Sequence, residues 1–252
     1  MLIKRYDITS SANDKFKWLL SLREGKTIRQ ERACLVFGPK IVADILAASR
    51  HKILFQVLRG SEPNISGTHD VLQLSEALFD EVDEFGTRAA FLVLETPPMA
   101  KWDPARDPDG LEIISPLQDP MNLGGLARTA VAFGCKNMVL TKESANPFLP
   151  RTIKSSAGAV LDLHLYYAPT LLEVSLALET RKNAFALDMS GESIHKHAWD
   201  KNSYLLLGEE GPGLPSSKIP RLHIPIRKVE SLNATVAGAL TIAAYAQKFP
   251  AE

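Results

Sequence analysis

Asp119-Pro120-Met121-Asn122-Leu123-Gly124-Gly125-Leu126-Ala127-Arg128-Thr129-Ala130 follows the apolar run Leu111-Glu112-Ile113-Ile114-Ser115-Pro116-Leu117. The run reads as a strand and Leu123 to Phe133 as a helix, so the residues between them mark a strand end. In an open α/β sheet, strand ends are where ligands bind. Gly124 and Gly125 let backbone approach a ligand closely and leave amide groups free near a helix start. Asn122 can donate and accept hydrogen bonds, or simply cap the helix. Arg128, six residues on, is either a functional cation or a solvated helix residue.

Two later stretches have the same form. The strand Tyr204-Leu205-Leu206-Leu207 runs into Gly208-Glu209-Glu210-Gly211-Pro212-Gly213. No Lys-Ser/Thr ends that turn, and the G-x-G-x-x-G spacing is absent, so it is neither a phosphate-binding loop nor a dinucleotide fingerprint. The strand Leu222-His223-Ile224-Pro225 leads to Ser231-Leu232-Asn233, which opens an Ala-rich helix from Ala234 to Ala246. Ser231 or Asn233 supplies its N-cap. The small residues Ala237, Gly238, Ala239, Ala243 and Ala244 suit close helix packing, in a core or in a dimer contact.

Between these blocks, Asn137-Met138-Val139-Leu140 and Asn183 to Leu187 read as strands and Leu171 to Thr180 as a helix; Ala157 to Tyr166 brackets another short strand. Repeated strand-then-helix units with fully apolar strands predict a covered parallel sheet. Upstream, apolar runs at Ala33–Phe37, Ile53–Leu58, Val71–Leu74 and Ala89–Leu94 alternate with helical patterns, which predicts a second, smaller α/β unit. Pro97-Pro98, Asp103-Pro104 and Asp107-Pro108-Asp109-Gly110 break the pattern. The expected domains are therefore 1–95 and 111–252, with 96–110 as linker.

Composition narrows the class. The chain of 252 residues is 45% hydrophobic and 23% charged, as in a soluble globular protein. Its 29 basic and 29 acidic residues cancel, which argues mildly against nucleic-acid binding by bulk charge and leaves local patches open. Cys34 and Cys135 form neither a metal-ligand spacing nor a disulfide framework. His195 and His197, near Trp199, have no Cys or carboxylate partner in motif spacing, so no metal is expected. Met1-Leu2-Ile3-Lys4-Arg5 leads into polar sequence without a signal-peptide core, and no apolar run is long enough to span a membrane, so cytoplasm is the expected compartment.

In this order, the three blocks resemble the signature motifs of the SpoU (TrmH-like) family of RNA ribose 2′-O-methyltransferases, within the SPOUT superfamily. The resemblance rests on Asn122, Gly124, Arg128-Thr129-Ala130 and Phe133-Gly134, on Gly208, Glu210, Gly211 and Gly213, and on Ser231 to Val236. It covers nearly the whole chain, closely from Leu111 onward and loosely before. It implies an α/β fold: a C-terminal SPOUT-type knotted parallel-sheet domain preceded by a smaller L30e-like α/β substrate-binding domain. It implies catalytic roles for Asn122, Arg128, Glu210, Ser231 and Asn233. The implied cofactor is S-adenosylmethionine, seated by Leu207, Gly208, Gly211, Gly213, Ile224, Ile226 and Leu232. A homodimer acting on structured RNA, ribosomal rather than transfer RNA, is implied as well.

Arg128 would either take the proton of the ribose hydroxyl or, staying protonated, favour its ionised form and anchor a phosphate. Arg151 and Lys154 are candidate phosphate contacts, as is the basic-leaning stretch from Lys15 to Arg32. Two departures stand out: Glu209 occupies a position where the family often has Asn or Ser, and Phe37 replaces an acid. The rival reading is a non-catalytic RNA-binding or ribosome-assembly protein that keeps the fold; the full set of polar motif residues argues against it.

Overall fold

The computed structural model describes residues 3–250. Met1 and Leu2, part of the opening stretch read above, lie outside the described residues. The chain divides into two compact units. One runs to Pro97 and takes in Phe148–Leu161; the other takes Pro98–Pro147 and the chain from Asp162 onward.

The first unit carries β1 (Arg5–Ile8), α1 (Asp14–Ser21), α2 (Gly25–Glu31), β2 (Ala33–Val36), α3 (Pro39–Ala48), β3 (Ile53–Arg59), β4 (Val71–Leu74), α4 (Glu76–Val82) and β5 (Phe91–Glu95). Its five-stranded sheet has the order β1-β4-β3-β5-β2. The β1-β4 and β4-β3 pairs are parallel; β3-β5 and β5-β2 are antiparallel. Asn13 caps α1, as its side chain accepts from the Lys15 and Phe16 amides. Phe16, Leu19, Leu35, Val57, Leu72, Phe79 and Phe91 form the core. Phe37, the residue that replaces an acid, is 1% exposed. Its ring centroid lies 4.5 Å from that of Phe91 and 5.4 Å from that of Phe85, so here the position serves packing.

The second unit begins with β6 (Ala100–Lys101), inside the stretch read as a linker. It continues with β7 (Leu111–Ser115), α5 (Pro120–Ala132) and β8 (Asn137–Leu140). The next helix, α6 (Pro150–Ser155), belongs to the first unit. There Arg151 Nε lies 3.3 Å from Glu84 Oε1, and Lys154 Nζ sits 3.7 Å from the centre of the Phe85 ring. Both cations read as candidate phosphate contacts thus have partners inside that unit. The second unit resumes with β9 (His164–Tyr167), α7 (Leu171–Leu178), β10 (Ala184–Asp188), β11 (Glu192–Ser193), β12 (Ser203–Leu206), β13 (Arg221–His223) and α8 (Ala234–Ala246).

These strands form an eight-stranded sheet of order β11-β13-β10-β12-β7-β8-β9-β6, every pair parallel. All residues of β7, β8 and β12 are buried, as continuous apolar runs require. The one charged residue of these three strands is Glu112, near the start of β7 and 0% exposed. Its carboxylate takes a two-pronged pair from Arg106, one prong at 2.9 Å, and accepts from Asn137 Nδ2 and the Asp109 amide, each at 2.9 Å. A buried charge needs such saturation. Helix α8 packs on α5 through Gly238, where a Cβ would lie 2.8 Å from Leu126 Cδ1 and 3.3 Å from Leu207 Cδ1. Among the described residues, no helix is long and apolar enough to cross a membrane.

Candidate active site

Strand order explains how distant blocks meet. The strands β13, β10, β12 and β7 are adjacent and parallel, so their C-terminal ends share one edge of the sheet. The first block leaves β7, the second leaves β12 and the third follows β13. The second and third blocks line a cleft of about 520 Å³.

The first block turns at Asp119, whose Oδ1 accepts from the Met121 amide at 2.6 Å and the Asn122 amide at 3.3 Å. With Pro120 in the first turn, this cap starts α5 before Leu123. The second block is a closed loop. The Glu209 amide donates to Gly213 O at 2.9 Å, and the Gly213 amide donates back to Glu209 O at 3.1 Å. A Cβ on Gly208 would lie 3.0 Å from the carbonyl carbon of Gly213 and 3.2 Å from the amide nitrogen of Leu214. In the third block, Asn233 Oδ1 caps α8 through the Thr235 and Val236 amides, at 2.9 and 3.3 Å.

Side chains tie the blocks together. Asn122 Nδ2 donates to Glu210 Oε1 at 2.5 Å. A carboxylate only accepts, so the amide nitrogen of Asn122 must face it, and its Oδ1 points elsewhere. Gln118 Nε2 donates to Glu209 Oε2 at 3.3 Å. The Thr235 hydroxyl donates to the Asn122 carbonyl at 3.0 Å. Adjacent glutamates of the second block thus each receive one amide from the chain that follows β7, and Thr235 of the third block bonds the backbone of the first.

Ten of the residues expected at the site line the cleft: Leu207, Gly208, Glu210, Gly211, Gly213, Ile224, Ile226, Ser231, Leu232 and Asn233. Asn122 joins them through Glu210. Arg128 does not; it is exposed on α5 and is not part of the lining. Six helical residues separate it from Asn122, about 9 Å along the axis and about 120° around it. The cleft also includes Leu187, Asp188 and Met189, at the end of β10, and Glu230. Sequence reading passed over the β10 end because Asp188-Met189-Ser190-Gly191 looks like any strand terminus; only its place between β13 and β12 brings it here.

Four carboxylates line the cleft, those of Asp188, Glu209, Glu210 and Glu230, and no lysine or arginine does. Asp188 Oδ2 lies 3.4 Å from Arg221 Nη1. His197, one of the two histidines considered as metal ligands, is 7% exposed, with Nδ1 2.7 Å from Glu192 Oε2 and its ring edge-on to Phe185 and Trp199. His195 is exposed.

Known proteins share this chain's sequence pattern and its fold. The chain is 34% identical over 247 residues to "Ribosomal RNA small subunit methyltransferase G 2" of Syntrophobacter fumaroxidans; the match takes 95% of this chain and 49% of that protein. The chain thus spans about half the length of this relative, whose name describes the longer protein. It is 26% identical over 246 residues to the 23S rRNA guanosine 2′-O-methyltransferase RlmP of Bacillus subtilis, covering 93% of this chain and 97% of that one. The AdoMet-bound rRNA methyltransferase from Sinorhizobium meliloti shares the fold, with a TM-score of 0.79 over 98% of this chain and 99% of that one, at 21% identity. The profile of the SpoU rRNA Methylase family matches residues 113–243, just over half of the chain and all three blocks. The chain belongs to the SpoU rRNA Methylase family.

Proposed function

We propose that this chain transfers a methyl group from S-adenosylmethionine to a ribose 2′-hydroxyl of structured RNA, ribosomal in preference to transfer RNA, and works as a homodimer. Family membership supports methyl transfer to RNA, and the name of the Bacillus relative supports the 2′-hydroxyl. The observation that carries the reading is the bond from Asn122 to Glu210, which lines the cleft. It presents the free Asn122 Oδ1 as an acceptor for a hydroxyl.

The cleft fits the cofactor. Leu187, Leu207, Ile224, Ile226 and Leu232 supply apolar walls for a nucleobase. Gly211, at φ +97, has open space where a Cβ would stand, so its backbone is accessible to a ligand. Carboxylates without lysine or arginine suit a group carrying a sulfonium and an ammonium. When bound, the donor supplies a methyl already activated by its positive sulfur. What remains for the protein is alignment, and the hydroxyl proton passes to solvent as the methyl is transferred. Gly208, Gly211 and Gly213 bind through backbone. Asn122 Oδ1 accepts from the ribose hydroxyl, and Glu210 keeps that amide from rotating. Ser231 and Asn233 bound the same space.

Arg128 is the cation assigned to the hydroxyl, and a second subunit accounts for its position. Met121 on α5 is 62% exposed, and Val236 and Leu240 on α8 are 48% and 45% exposed. Apolar side chains on these two helices suit an interface between copies, across which Arg128 of one protomer would serve the cleft of the other. The rival, a non-catalytic RNA-binding protein, draws on the same fact, that Arg128 stands outside the cleft of its own chain.

Mixing two inactive variants separates these readings. Arg128→Ala and Glu210→Ala are each expected to abolish labelled methyl transfer to ribosomal RNA. If sites are shared, co-refolded mixtures recover about a quarter of wild-type activity, because half the dimers are hybrids with one intact site. A wild-type protein that binds RNA and transfers no methyl supports the binding-module reading instead.

A further inference from the structure

We infer that Asp188 is a donor-binding residue that holds the vicinal hydroxyls of the cofactor's adenosine sugar; this rests on the donor assignment made above. Asp188 ends β10, and β10 lies between the strands that lead to the second and third blocks. An acid at a strand end of a parallel sheet is well placed for a nucleoside sugar, since the carboxylate offers two acceptors side by side and a cis-diol offers two donors.

The carboxylate of Asp188 is fixed in place and not used up. Its Oδ1 accepts from the Met189 amide at 2.7 Å. Its Oδ2 faces Arg221 Nη1 at 3.4 Å, and that guanidinium is itself anchored where Nη2 donates to Pro215 O at 3.0 Å. Strand register sets this pair: Ala186 is opposite Arg221 and Asp188 opposite His223. Each oxygen keeps a second lone pair, and the side chain is 34% exposed. The other acids of the cleft are less suited. Glu209 and Glu210 stand beyond the end of β12, in the second-block loop, and tie it to the chain after β7 through Gln118 and Asn122. Glu230 is exposed, with no ion pair or side-chain hydrogen bond among the described residues. Leu187 and Ile224 flank Asp188 with apolar surface for the attached base.

Calorimetric titration of the full chain with S-adenosylmethionine, adenosine and 2′-deoxyadenosine tests this without any turnover. Wild type should bind adenosine at least about tenfold tighter than 2′-deoxyadenosine, the scale of a hydrogen bond to a charged group. In Asp188→Asn, which keeps the shape of the side chain, and in Asp188→Ala the ratio should fall toward one. A purely structural role would weaken both ligands equally and leave the ratio unchanged, which overturns the inference. So does a wild type indifferent to the 2′-hydroxyl, a result that needs no variant to fold. Retained S-adenosylmethionine binding in either case leaves the donor assignment standing; a wild type that binds none of the three ligands removes both.

Discussion

Asn122 and Glu210, 88 residues apart, meet in a hydrogen bond of 2.5 Å that joins the first and second blocks. Catalysis gains most from groups held in place before reaction, because they need no reorganisation in the transition state. Asn122→Ala should lower kcat about 100-fold, the usual scale for one preorganised polar group. The donor's Kd should stay within about threefold, since the glycine loop is untouched. An Asn122→Ala, Glu210→Ala double variant should be little worse than the more damaging single, as expected for residues that act as a unit. Single-turnover transfer rates alongside calorimetry check all three values.

Gly208 is the tightest point of the 208–213 loop. Its missing Cβ would press on the backbone of Gly213 and Leu214 at 3.0 to 3.2 Å, and backbone cannot swing away as a side-chain tip can. Gly208→Ala should displace the 209–213 loop and weaken S-adenosylmethionine binding at least about tenfold. Stability should drop by only about 1 kcal/mol, the common size of a single-site effect. Thermal melts with and without the donor separate the two: the melt without donor barely moves, and the stabilisation by donor shrinks.

The three blocks were legible because an apolar run that stops at Gly, Asn or Ser has few structural uses other than a strand end beside a ligand or a cap. Both uses occur together at Asn233, which caps α8 and lines the cleft. The end of β10 was not legible, since nothing in Leu187-Asp188-Met189 fixes its neighbours in the sheet; strand order does. Of the four edge strands, β2 is marked by its apolar run and the other three are not. In β1, only Ile8 of Arg5–Ile8 is fully buried, so no apolar run marks it; β6 and β11 are two residues each. Spacing along α5 linked Arg128 to Asn122 in sequence, but helical geometry carries the two to different sides. The membership of Phe148–Leu161 in the first unit depends on long-range pairs such as Arg151 with Glu84, which local periodicity does not encode.

The anchor of the parallel sheet lies at the other end of β7. Arg106 is the only cation paired with Glu112 among the described residues. Arg106→Ala leaves a fully buried carboxylate with two neutral donors, and should cost about 3 kcal/mol, as breaking a buried pair does. Arg106→Ala with Glu112→Gln should recover part of that loss, because the uncompensated charge is gone. Chemical denaturation of the single and double variants measures this.

Burial pushes the thiols of Cys34 and Cys135 up to about 12. Thiolate is the reactive form, so both should resist alkylation by iodoacetamide at pH 8 in the folded protein and react readily in denaturant. Labelling rates against denaturant then report local opening separately in the two units, Cys34 in the first and Cys135 in the second. Fast labelling of either thiol in buffer contradicts the burial.

The most direct test uses methyl-labelled S-adenosylmethionine and unmodified ribosomal RNA, followed by digestion to nucleosides. Label in a 2′-O-methylated nucleoside with wild type, deposited about 100-fold more slowly with Asn122→Ala, is the expected result. Label on a base, or transfer that Asn122→Ala leaves unchanged, would contradict a cleft built to present a ribose hydroxyl to the donor.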